Sequence, residues 1–301
     1  MKREAAEPNE NGEWRIANSE IGANDLQFAI RHSAFAISSV LLALTLVLIA
    51  VGLGSYSLYT HRRDQNTKQL LQRARQSAAD HDWNTASVAY RQYLQREPLD
   101  VAVLNGYADV LLERMKTEPE VVGDAVRTLR RLVGMEPDNA AALGKLTGLY
   151  LRLREYGLAK EPATSWVAIN PESPEAALSL ARAQYGLGKP QEAVDTLVAA
   201  IDRNPGAPEL YPLLVRLTAF DLNQKDEAAQ WLQKALELGS DAHDLQLAAF
   251  LLHQSRGNVS EAEEHLDRAL NLAPRSLDTL LPAVMFYLSS DRLDEAEALL
   301  D

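Results

Sequence analysis

The chain has no cysteine. That excludes disulfides, thiolate metal sites, a cysteine nucleophile and a lipid attached through cysteine, and leaves the compartment open. Aromatic residues are scarce, at 6% of 301 residues against 47% hydrophobic residues in all. The core must therefore be built from alanine and leucine, unbranched side chains that lose little rotamer freedom in a helix. Positive charge is in deficit: Lys and Arg total 30 against 42 Asp and Glu, for a net charge of −12. A surface of that sign repels phosphate backbones, so nucleic acid is not an expected partner.

Catalytic motifs are missing too. None of His32, His61, His81, His243, His253 and His265 belongs to an H-E-x-x-H arrangement. His265 follows Glu263 and Glu264 and reads as part of a solvated helix face. Gly144-Lys145-Leu146-Thr147 has Asn139 where a phosphate loop needs its first glycine, and Gly186-Leu187-Gly188 lacks the strand that a dinucleotide site requires. There is no Gly-x-Ser-x-Gly elbow. No catalytic residue, metal or cofactor is expected, and the chain does not read as an enzyme.

What stands out first is a run without charge, residues 33–60. A spanning helix needs roughly 20 apolar residues to cross ~30 Å of hydrocarbon, and this stretch reads as one transmembrane helix in contact with the lipid bilayer. The rival is a cleaved signal with Ala50-Val51-Gly52 as its cleavage site, but its n-region would extend over the whole segment before Ser33. Ala50 and Gly54 have a small-x-x-x-small spacing that permits weak self-association of spans. Arg62, Arg63, Lys68, Arg73 and Arg75 follow the run, whereas Arg31 precedes it beside Glu20 and Asp25. The positive-inside rule then favours a cytoplasmic C-terminal part over a periplasmic one. Residues 1–30, with Glu4, Glu7, Glu10, Glu13 and Pro8, read as a disordered acidic tail.

Beyond the run the sequence repeats. Prolines at Pro98, Pro137, Pro171, Pro205 and Pro274 are separated by steps of 39, 34, 34 and 69 residues, and Ser240 stands where the proline missing from the last step belongs. Twelve residues before each of these positions lies an alanine, in order Ala86, Ala125, Ala159, Ala193, Ala228 and Ala262, with Ala296 opening a further set. Eight residues before lie Tyr90, Leu129, Ala163, Leu197, Leu232 and Leu266. Polar or glycine residues such as His81-Asp82, Gly188-Lys189, Gly257-Asn258 and Ser290-Asp291 mark the turns within each unit.

In its period and in these residues the chain resembles the tetratricopeptide repeat (TPR) family, and in its plan the N-terminally membrane-anchored bacterial members. Leu143, Leu146, Tyr150, Ala159 and Pro171 match one repeat of the pattern; Leu180, Ala181, Ala193, Leu197, Ala200 and Pro205 match the next. Thr147, Trp166 and Pro212 depart from it. The resemblance implies an all-α, right-handed α-solenoid of TPR helix pairs over 67–301, preceded by one transmembrane helix. Repeats are expected near 67–100, 101–139, 140–173, 174–207, 208–242 and 243–276, with a partial one over 277–301. The second carries five surplus residues around Met115 to Gly123, expected as a surface turn or as a loop that touches a partner. The last stops at Leu299 and Leu300 without a polar cap, so the chain is expected to continue past Asp301.

The family also implies a function: a membrane-anchored scaffold or adaptor, in a bacterial inner membrane, that binds other proteins or peptides in a concave groove lined by the first helix of each pair. Carried over by position, the groove residues are Arg75, Asp109, Arg182 and Arg216, joined by Arg152, Tyr185 and Phe220. Arginines there suit an acidic or C-terminal peptide; the alternative is that they pair with acids of neighbouring helices. The family's carboxylate clamp is absent, with Leu71, Arg75 and Gly106 at its positions. Two other readings stay open, the regulatory arm of a longer enzyme such as a glycosyltransferase, and an organelle-surface import receptor.

Overall fold

The computed structural model describes residues 23–299. Within them the chain is helical, and among the described residues there is no strand. It divides into two units, residues 1–69 and 70–301.

In the first unit the main element is the start of α1 (Ala23–Ala79). The acidic tail expected over 1–30 lies outside the described residues up to position 22, and 23–30 are the start of the helix. Leu44, Leu46, Leu48, Val51 and Leu53 are all more than half exposed. No protein core covers them, and α1 is the one described helix long and apolar enough to cross a membrane.

The second unit begins with the last residues of α1, from Leu70, which pair with α2 (Trp83–Leu94). Helix pairs follow: α3 (Val101–Arg114) with α4 (Val122–Met135), α5 (Ala140–Arg152) with α6 (Tyr156–Ile169), and α7 (Pro174–Gly186) with α8 (Pro190–Arg203). Then come α9 (Tyr211–Arg216) with α10 (Lys225–Glu237), α11 (His243–Arg256) with α12 (Val259–Leu272), and α13 (Leu277–Ser289) with α14 (Leu293–Ala298).

The alanine spacing explains the packing. Ala86, Ala125, Ala159, Ala193, Ala228, Ala262 and Ala296 are all buried. A methyl at these points lets a second helix lie close on its first helix, and larger partners such as Leu129, Leu197 and Leu266, fully buried, fill the space beside it. Each pair leaves an apolar face that only its neighbour can cover, which is why the pairs stack.

The prolines act on the residue before them. Glu136, Asn170, Asn204 and Ala273 end α4, α6, α8 and α12 with ψ between 70° and 81°, because a following proline disfavours the helical region. Two residues after the proline, Asp100, Asn139 and Ser173 accept hydrogen bonds from the backbone N–H of Val103, Ala142 and Ala176, satisfying a donor that the new helix leaves open. Where Ser240 replaces the proline, Gly239 ends α10 instead, in the left-handed conformation at φ 71°.

The departures from the pattern find physical reasons. Pro212 lies in the first turn of α9, after a 3-10 turn over Pro208–Leu210, where a missing N–H breaks no bond. Trp166 occupies its alanine slot because Gly144 opposite lacks a side chain: a methyl there would stand 3.0 Å from the indole. The 69-residue step contains one residue more than two periods, and a π-helical segment after α9, Leu217–Asp221, contains it. There Leu222 N–H donates to Leu217 O at 3.0 Å, five residues back, the signature of a single inserted residue. The five-residue surplus in the second pair folds into a 3-10 turn over Pro119–Val121 that runs into α4. Val121 is buried, Arg114 pairs with Glu118, and Arg114 Nη1 donates to Ser87 Oγ at 2.7 Å.

Candidate functional site

The first helices α7, α9, α11 and α13 line one groove of about 350 Å³. Its residues recur at the repeat period. The floor holds Leu178, Pro212 and Leu247, one helix apart each, with Leu251 beside them. Glu209, in the 3-10 turn before α9, and Asp244 and Asp278, in the first turns of α11 and α13, stand along the groove, with Arg182 and Arg216 a turn or two further along α7 and α9. Carboxylates in a first turn also meet the positive end of the helix dipole, so this acidic row is compatible with stable helices.

Arg182 and Arg216 are exposed and carry no ion pair among the described residues. The Arg216 guanidinium lies 5.6 Å from the centroid of the Tyr185 ring, so its partner within the chain is an aromatic face and not a carboxylate. The reading in which the groove arginines pair with neighbouring acids therefore fails for both. Of the other residues singled out by position, Asp109 is ion-paired with Lys145 of α5 at 2.5 Å. Arg75 and Arg152 are exposed, and Phe220, 42% exposed, sits in the π-helical segment; these four do not line the groove around Arg182. Position-by-position reading missed Glu209, Asp244 and Asp278, although the 34- and 35-residue steps between them were available in the sequence.

Behind the groove, α11 and α12 enclose two histidines. His265 is buried, not on a solvated face, because it neighbours Leu266 on the side of α12 that packs on α11. Gln246 Nε2 donates to Asp241 Oδ1 at 3.0 Å, which fixes the amide so that its Oε1 accepts from His265 Nδ1 at 2.7 Å. The His253 ring stacks on His265 with centroids 5.3 Å apart. Burial pushes both imidazoles down, and His253 and Arg268 add to the effect on His265, with Glu264 opposing it. The unfolded chain takes up protons as pH falls through about 6.5, before these two sites do in the folded state. Folding stability should thus be fully present at pH 7.5 and decline between pH 7 and 5. Thermal melts at the two ends of that range check it, and His253→Gln should reduce the difference. A melting temperature that does not fall toward pH 5, or the same fall in the variant, would contradict this account.

Among the described residues no group of three or more His, Asp or Glu is placed to hold a metal. In comparisons with known proteins, residues 178–243 match the tetratricopeptide repeat model. No curated protein matches the chain in sequence. Among solved structures, PilF of Pseudomonas aeruginosa aligns over 72% of this chain and 96% of its own at 18% identity, TM-score 0.52. A MamA protein aligns over 57% and 91% at 20% identity, TM-score 0.51, and MamA of Desulfovibrio magneticus over 57% and 94% at 17% identity, TM-score 0.50. The groove is thus carried by a tetratricopeptide-fold α-solenoid, with the family's own sequence model recognisable across α7 to α10.

Proposed function

We propose that the chain is a membrane-tethered scaffold that holds segments of partner proteins in the groove between α7 and α13. The groove itself carries this reading: four consecutive first helices present an apolar floor, a row of carboxylates and two arginines with no ion pair among the described residues. A partner segment would lay apolar side chains on Leu178, Pro212 and Leu247, meet Arg182 and Arg216 with a carboxylate and Glu209, Asp244 and Asp278 with basic groups. The uncharged part of α1 supplies the tether, and Arg62, Arg63 and Lys68 on its C-terminal flank favour a cytoplasmic solenoid.

The test is cross-linking and purification of the full chain from native membranes. Arg182→Glu with Arg216→Glu should remove most of the cross-linked partners, while removal of residues 33–60 should release the protein from the bilayer with the groove intact. The same partner list in the doubly substituted protein, with helical content unchanged, would refute the groove reading.

A further inference from the structure

A second and larger cleft, about 610 Å³, opens on the side of the second helices, between α2 and α4 with α3 at its base. It owes nothing to the groove, and none of its residues lines that site. Three arginines wall it, Arg91 from α2 and Arg127 and Arg131 from α4, and Asp124 is the one carboxylate among its lining residues. In a protein of net charge −12, that is a local excess of the opposite sign.

The guanidiniums are held in place by the fold. Arg91 Nε donates to Tyr107 Oη at 3.3 Å and its Nη2 to Asp124 Oδ2 at 3.0 Å. Asp124 takes Arg127 on its other oxygen. Arg131 Nη2 donates to the Pro98 carbonyl at 2.5 Å, in the turn that leads to α3. Each guanidinium has five N–H donors, so donors remain on all three after these bonds. Leu94, Leu104 and Tyr107 are buried beneath them and give the cleft an apolar base. Its volume exceeds that of a single small anion and suits a few residues of a polypeptide.

We propose that this cleft is a docking site for an acidic segment of a partner protein, with carboxylates on Arg91, Arg127 and Arg131 and an apolar side chain against Leu104 and Tyr107. Charge complementarity selects that occupant. Three guanidiniums face one carboxylate here, whereas the groove sets two arginines against Glu209, Asp244 and Asp278. An acidic segment is therefore sorted to the second-helix side and away from the groove. Arg91 and Arg131, already oriented, lose little freedom on binding.

The experiment uses the full chain in a neutral detergent and a fluorescein-labelled peptide of glutamate pairs separated by leucines, with its lysine counterpart as control, read by anisotropy. The acidic peptide should bind at low salt and weaken as salt rises. Arg127→Glu, which leaves the contacts of Arg91 and Arg131 in place, should weaken it about tenfold, the loss expected for a charged hydrogen bond. Asp124→Asn should tighten it several-fold, an effect that a merely structural aspartate would not produce. The groove variant Arg182→Glu with Arg216→Glu should bind as the unaltered chain does. The proposal is overturned if the acidic peptide does not bind, if Arg127→Glu leaves its affinity unchanged, or if the groove variant alone loses it. Displacement of the peptide by dihexanoyl phosphatidylglycerol at lower concentration than by unlabelled peptide would also overturn it, in favour of a lipid headgroup.

Discussion

Phe250→Ala should cost about 3–5 kcal/mol of stability and should unfold the C-terminal pairs ahead of the rest. Phe250 is fully buried on α11 and meets Phe286 of α13 edge to face, with centroids 5.5 Å apart. It belongs to an apolar cluster with Ala262, Leu266, Ala283, Tyr287 and Ala296, distinct from one that runs from the end of α1 to α7 and from one that runs from α7 to the opposite side of α11, at Leu245, Ala248, Ala249 and Leu252. Truncation removes both the area hidden by the ring and the interaction that ties one pair to the next. In a stack whose pairs touch only their neighbours, that loss is not shared by distant pairs. Hydrogen exchange should show amides of α11 to α14 losing protection while those of α3 to α6 keep theirs. A loss under about 1 kcal/mol, or an equal loss of protection in every pair, would contradict the division of the core.

Gly186→Ala should destabilise the protein by roughly 1–3 kcal/mol, although alanine is the better helix former by about 1 kcal/mol. Gly186 is the last residue of α7, and the Tyr156 ring of α6 rests on it: a methyl would stand 2.3 Å from Tyr156 Cγ. The clash is with the root of the ring, so no rotation of a flexible end relieves it, and α6 and α7 must separate. A double-mutant cycle isolates the effect. With Tyr156→Ala already present, Gly186→Ala should be neutral or mildly stabilising, because only the helix preference remains. Equal costs of Gly186→Ala in both backgrounds would show that the ring is not the obstacle.

Much of this architecture was legible in the sequence for one reason: close helix contacts demand a small residue at a fixed place. Ala193 or Ala262 therefore announces its own burial, and Pro171 or Pro205 announces the end of a helix by restricting the residue before it. The surplus residue in the 69-residue step was countable, but its site was not, because no residue type marks a π-helical turn. His265 misled because its charged neighbours Glu263, which pairs with Arg292, and Glu264, which is exposed, leave the side that turns inward to it, a matter of phase within one helical turn. The groove was half legible. Arg182 and Arg216 could be placed from the family pattern, yet their lack of an ion pair, and the acidic row facing them, depend on which side chains approach in three dimensions. The Arg91 to Arg131 cleft left no signal, since its arginines come from helices whose spacing only packing decides.

The segment Leu217–Asp221 also bears on how such a stack of helix pairs tolerates change in length. Because the supernumerary residue is coiled into a widened turn before α10, Ala228 still reaches its contact and every later pair resumes the common phase. Each pair thus behaves like a link with its own slack: an insertion is absorbed where it occurs, and the alignment of everything downstream is spared.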